Sequence, residues 1–121
     1  LALWRKSGQI VTPIDNKNAE TDYRILVTLV SPKYEFLNLI ELIPHTGRRH
    51  QLRKHLAEIG NPVFGDLQYG QEGLLLKGQG LYLHASSLQF THPITQNKIE
   101  VNVPLPKKYG RLFPEGIEQK L

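Results

Sequence analysis

The chain contains no cysteine, which excludes disulfides and thiolate metal ligands and leads us to expect a reducing, cytoplasmic setting. It contains no methionine either, and Leu1 stands at the first position. That absence predicts a fragment or a processed product of a longer protein. No apolar run approaches the roughly 20 residues that span a bilayer, so no membrane partner is expected. No signal-peptide pattern opens the chain, because residues 1–7 already hold Trp4, Arg5 and Lys6. The most informative absence is local. Residues 45–56, HTGRRHQLRKHL, carry Arg48, Arg49, Arg53 and Lys54 without a single acidic side chain.

That segment holds the whole charge imbalance of the protein. The chain has 15 basic and 11 acidic residues, a formal charge of +4, so outside these four cations the two signs balance. An apolar content of 40% with 21% charged residues in 121 residues describes one small folded domain, or a piece of a larger one.

Along the chain, residues 1–11 read as a weak hairpin around a Lys6-Ser7-Gly8-Gln9 turn. Residues 12–20 are polar loop. Tyr23, Ile25, Val27 and Leu29 alternate with Arg24, Leu26 and Thr28, as in a strand with one better-buried face. Ser31-Pro32-Lys33 breaks it. Residues 34–43 are apolar on both faces, the pattern of a central strand. After Pro44 and a Thr46-Gly47 turn, helical periodicity begins near Arg48 or Arg49, with Thr46 as candidate N-cap and Gly60 as left-handed C-cap. Leu52, Leu56 and Ile59 share its apolar face. Residues 62–80 are glycine-rich loop. Residues 81–91 and Ile99, Val101 and Val103 return to strand character around a turn at 93–97, and residues 107–121 form an irregular tail. The order β-hairpin, β, β, α, loop, β, β predicts an α+β fold, with a mixed, mainly antiparallel sheet and one principal helix.

The histidines of the basic segment do not suit a metal. His45, His50 and His55 are spaced by five, and five residues turn a helix so that His50 and His55 differ by about 140°. No metal site and no cofactor are expected. The arginines suit an anion better. A cation-rich helix beginning at a Thr-Gly turn combines backbone N–H groups, the positive dipole end and guanidinium forks. It lacks i,i+4 acidic partners apart from Glu58 for Lys54, and a phosphate backbone is the expected ligand. Asp66, in GDLQYG, reads as a turn residue capping its own backbone rather than as a nucleophile or general base.

Several blocks together resemble one family. HTGRRHQLRKHLAEIGNPVFGD, then QYG, then LYLHASSLQFTHP and VPLP are similar to the later part of RluA-type RNA pseudouridine synthases. That family's pattern is TGR-x-HQ-(I/L)-R-x-HL, G-x-P-(I/V)-x-GD-x-x-YG and L-HA-x-x-L-x-F-x-HP. Residues 18–24, NAETDYR, resemble its lead-in. The resemblance covers nearly all of residues 1–121 and implies the C-terminal portion of a catalytic domain. It implies conversion of uridine to pseudouridine in rRNA or tRNA without a cofactor: the glycosidic bond is cleaved, the uracil turns, and C5 is rejoined to the ribose.

In the family the essential aspartate lies in an H-R-L-D segment, which does not occur here. The isolated chain is therefore expected to be inactive. The resemblance makes Arg53 the catalytic partner of an aspartate absent from this chain. It places Leu52 at the uracil, has Arg48, Arg49 and His50 face the RNA or brace the motif, and gives His84 and His92 structural roles, one packed under the sheet and the other shaping a His-Pro turn. Partners beyond RNA are expected to be the missing N-terminal half of the domain or another copy of the chain, because a domain cut mid-sheet leaves an unpaired edge. The alternative is a non-catalytic RNA-binding or regulatory module derived from the same fold.

Overall fold

The computed structural model describes residues 6–31, 35–70 and 82–111. The expectations for residues 1–5, for the break at 32–34, for the loop at 71–81 and for the tail at 112–121 lie outside them. The chain divides into two compact units, Leu1–Tyr82 and Leu83–Leu121. In the first, strands β1 (Ser7–Ile10), β2 (Thr21–Ser31) and β3 (Glu35–Pro44) form an antiparallel sheet in the order β1-β2-β3, followed by helix α1 (Gln51–Glu58). The second holds the antiparallel pair β4 (Ser87–Thr91) and β5 (Lys98–Asn102) and a 3₁₀ turn at Lys107–Arg111. The architecture is α+β, and every strand pair among the described residues is antiparallel.

Several local expectations are corrected. Lys6-Ser7-Gly8-Gln9 is not a turn: Ser7–Ile10 is a strand whose register sets Gly8 opposite Tyr23. The glycine serves a close approach, since a Cβ there would lie 2.8 Å from the Tyr23 hydroxyl. Second, β3 is apolar on both faces yet lies at an edge of the described sheet, with Ile43 50% exposed.

Third, the helix starts at Gln51 rather than at Arg48 or Arg49. His50 takes a left-handed conformation (φ 53°), which interrupts helical geometry, and the Gln51 N–H instead closes a turn on the Arg48 carbonyl at 3.1 Å. Thr46 is not the N-cap, because its hydroxyl accepts the Glu20 N–H and donates to the Gln51 side chain. The other end is as expected. Gly60, at φ 80°, sends its N–H to the Ala57 carbonyl while Asn61 reaches Leu56, the paired bonds of a Schellman ending.

The core of the first unit is Ile10, Leu56 and Val63, with Tyr23, Ile40, Leu42 and Ile59 packed against it. The inner face of α1 is more polar than its periodicity predicts: Gln51, His55 and Leu56 are buried, whereas Leu52 is only half-buried. Burying amide and imidazole groups is tolerable only when each is hydrogen-bonded, and both are. The His55 Nε2–H donates to the Thr12 carbonyl at 2.8 Å, and Nδ1 meets the Thr21 hydroxyl at 2.8 Å.

In the second unit β4 and β5 pair from Ser87↔Asn102 to Thr91↔Lys98, and the Val103 N–H extends the ladder to the Ser86 carbonyl. Residues 82–86 have no regular structure, so the strand expected over 81–91 begins only at Ser87. His92 shapes the connecting turn by accepting the N–H groups of Ile94 and Thr95 on Nδ1. Where composition predicts an irregular tail from residue 107, Lys107–Arg111 forms the 3₁₀ turn and buries Tyr109.

Candidate functional site

Gln51 anchors the loop that carries the basic residues. Its Oε1 accepts the Thr46 hydroxyl at 2.6 Å and the Arg48 N–H at 3.0 Å. Its Nε2 donates to the Glu20 carbonyl and to the Thr21 hydroxyl, both at 2.9 Å. All four hydrogen-bonding positions of the amide are thus filled, and residues 45–51 are tied to the start of β2. Sequence reasoning passed over Gln51. Its one signal was its place between two candidate positions of the basic segment.

From this anchored loop the candidate residues diverge. The Arg48 Nε–H donates to the Asn18 carbonyl at 2.7 Å, and among the described residues no carboxylate pairs with it. Arg49 is exposed. Lys54 stands 3.8 Å from Asp15, whose side chain is 74% exposed, too open a pair to hold firmly. His50 and Arg53 turn instead toward the loop that follows α1. The His50 Nδ1 lies 2.9 Å from the Tyr69 hydroxyl, with the two rings edge-on at 5.8 Å. Desolvation, and after it the nearby charges of Arg53, Arg49 and Lys54, lower the His50 pKa from the ordinary histidine value.

Arg53 has a partner within the chain. Its Nε–H and Nη2–H donate to Asp66 Oδ2 and Oδ1 at 2.9 and 2.8 Å, the parallel two-bond geometry that favours arginine over lysine. The guanidinium carbon sits 5.0 Å from the centre of the Tyr69 ring, a cation–π distance. Asp66 is fully buried. Its Oδ1 also accepts the N–H groups of Gln68 and Tyr69, each at 3.0 Å. Arg53 first, and then these two N–H groups, hold its carboxyl down at about 2 against the desolvation that opposes them.

The turn role expected of Asp66 is therefore real, but only one of its two roles. The basic segment is also less unpaired than its composition suggests, since Asp66 neutralises Arg53. No helical spacing could announce that pair, because it joins residues 13 apart across a loop. The one available clue was that GDLQYG follows the basic segment closely.

The three histidines of the segment go separate ways: His45 to Asp22 at 2.7 Å, His50 to Tyr69, and His55 into the interior. Among the described residues no group of three or more potential ligand side chains could hold a metal ion, and no helix is long and apolar enough to cross a membrane.

No family model matches the chain. Individual relatives do. A tRNA pseudouridine synthase C from Haemophilus influenzae is 38% identical over 109 residues, covering 80% of this chain and 46% of that protein. A ribosomal large subunit pseudouridine synthase C from Rickettsia bellii is 31% identical over 105 residues, covering 84% of this chain and 34% of that one. Among solved structures, the human RNA pseudouridylate synthase domain containing 1 superposes with a TM-score of 0.71 at 27% identity, over 85% of this chain and 50% of that chain. The chain spans less than half the length of these two curated relatives. Sequence blocks, fold and relatives agree: the chain belongs to the RluA-type RNA pseudouridine synthase family.

Proposed function

We propose that this chain is the C-terminal portion of the catalytic domain of an RNA pseudouridine synthase acting on rRNA or tRNA in the cytoplasm. In this reading Arg53 is its catalytic arginine. The nucleophilic aspartate comes from a segment outside residues 1–121, and Arg53 grips it. The observation that supports this most is the state of the Arg53 fork. Asp66 occupies only the Nε–Nη2 edge, so a parallel pair of N–H groups at the far edge can take a second carboxylate. Asp66 does not serve as that nucleophile in this reading. It is fully buried, and its two oxygens are engaged by Arg53 and by the backbone of its own turn.

Around this centre the roles follow position. Leu52, half-buried and next to Arg53 on α1, lines the uracil pocket, where an apolar wall favours a flat base over water. His50 is a hydrogen-bonding group for the substrate. Arg48 and the exposed Arg49 meet RNA phosphates, which bind guanidinium groups through charge and geometry together. The outer edge of β3 is where the rest of the domain, or a second copy of the chain, pairs. An apolar strand left at a sheet edge favours such association.

The test is conversion of uridine to pseudouridine in rRNA and tRNA transcripts. The whole protein is expected to turn over, its Arg53→Ala variant to lose nearly all activity, and the isolated 121-residue chain to be inactive. Wild-type turnover by Arg53→Ala would remove the catalytic assignment. RNA binding by the whole protein without any turnover would leave a non-catalytic RNA-binding module as the correct reading.

A further inference from the structure

The loop after α1 closes on Arg53 from two directions. Asp66 holds one edge of the guanidinium through two bonds, and Tyr69, three residues further on, lays its ring 5.0 Å from the guanidinium carbon. Both gripping groups are themselves fixed. The Asp66 N–H bonds to the Val63 carbonyl, its carbonyl accepts the Gly70 N–H, and its side chain accepts two further N–H groups from the turn. The Tyr69 hydroxyl is tied to His50.

The chemistry of residue 66 exceeds what its turn requires. Only Oδ1 serves the backbone, receiving Gln68 and Tyr69, and an asparagine carbonyl oxygen could accept the same two bonds. Oδ2 has one described partner, the Arg53 Nε–H. The negative charge and the second oxygen are thus explained by Arg53 alone. Five N–H groups lie in the plane of a guanidinium. Asp66 takes two, and among the described residues nothing accepts from Nη1.

We propose that Asp66 and Tyr69 are positioning residues for Arg53: edge and face together fix the guanidinium so that it meets a second carboxylate only through its far Nη1–Nη2 edge. This rests on the function proposed above, in which that carboxylate is the nucleophile. Neither residue touches the reacting atoms. Each acts by denying Arg53 other orientations, so that the arriving aspartate is aligned rather than merely attracted.

Turnover by the whole enzyme on its RNA tests the proposal through the split between kcat and KM, measured well below each variant's unfolding temperature. Asp66→Asn should lower kcat by about 100-fold, the scale of a misplaced catalytic group, with KM for RNA nearly unchanged. Tyr69→Leu should lower kcat by about tenfold through loss of the ring. Tyr69→Phe, which keeps the ring but loses its tie to His50, should lower kcat less than Tyr69→Leu does.

Because Asp66→Asn can also unfold the loop, the unsubstituted chain supplies a second measurement. The Arg53 Nε–H should give a resolved NMR signal that exchanges slowly with water, with separate Nη signals from hindered rotation. Rapid exchange and averaged Nη signals would overturn the clamp. So would wild-type kcat in Asp66→Asn while Arg53→Ala is inactive. Wild-type turnover in Arg53→Ala would instead remove the function on which the proposal rests.

Discussion

The imidazole of His55 reaches from α1 to the first residue of β2, where its Nδ1 meets the Thr21 hydroxyl at 2.8 Å, and both residues are at most 1% exposed. The Thr12 carbonyl on the other side can only accept, so Nε2 carries the ring proton. In the neutral ring with its proton on Nε2, Nδ1 can only accept, so the Thr21 hydroxyl, which accepts from Gln51, donates its own proton there. One orientation of each group satisfies the entire chain of bonds. His55→Leu fills similar space but leaves the Thr12 carbonyl and the Thr21 hydroxyl each short of a partner. We expect a loss of about 2–3 kcal/mol, since each buried group left unsatisfied costs about 1–3 kcal/mol. Urea unfolding checks this, and a loss below about 0.5 kcal/mol, the level of an ordinary surface change, would show that water replaces the imidazole.

Titration gives Asp66 and His45 opposite signatures, while Asp22, lowered by its hydrogen bond to His45, shares the sign of Asp66. The Asp66 pKa falls to about 2 in the folded chain. Its contribution is therefore complete above its unfolded value of about 4 and is lost as pH falls toward about 2. His45 is raised by its hydrogen bond to Asp22, so its smaller, exposed contribution is complete below about 6.5 and is lost as pH rises through the raised value. Stability measured against pH should fall steeply on the acid side and only slightly near neutrality. Asp66→Asn should cost about 3 kcal/mol at pH 7, at the low end for a broken buried pair because Arg53 remains 19% exposed, and should flatten the acid limb. An acid limb unchanged in that variant would assign it to other carboxylates.

Gly8 and Tyr23 make a steric prediction. A methyl group at residue 8 would stand 2.8–3.0 Å from the hydroxyl end of the Tyr23 ring, and Tyr23 packs on the core. Gly8→Ala should therefore cost about 1–3 kcal/mol, as overpacking does. Adding Tyr23→Leu, which removes the ring that clashes, should make the two changes cost clearly less than their sum. Additivity in that double-mutant cycle would mean that the strand shifts instead of the ring.

The same pair shows why part of the fold was legible in the sequence and part was not. Alternation marked β2 and β5, an apolar run marked β3, and Gly60 marked the helix end, because burial pattern and left-handed φ are local demands. Gly8 was misread because a glycine needed for a close approach across a sheet looks, in one dimension, like a glycine needed for a turn. The apolar run of β3 predicted a central strand, but its pattern records burial without naming what covers it. In the site, the motif singled out Arg53, whereas Gln51 and Asp66 act through partners far along the chain: Gln51 joins residues 30 and 31 apart. Spacing within one helix could not disclose either.

Charge pairing, finally, divides the four cations of the basic segment unequally, and RNA binding against salt measures the division. Arg53 is neutralised by a buried carboxylate. Arg48 donates to an uncharged carbonyl, Arg49 is exposed, and Lys54 has only a distant, solvated partner. Three cations rather than four are thus available to displace counterions from phosphates. Each contact with a single strand contributes about 0.7 to the slope of log affinity against log salt, so this segment should account for a slope of about −2. Arg49→Gln should reduce its magnitude by about 0.7, whereas Arg53→Gln, on folded protein, should leave it unchanged. An equal reduction in both variants would mean that Arg53 leaves Asp66 to bind phosphate, and salt-independent binding would remove phosphate contact from the segment altogether.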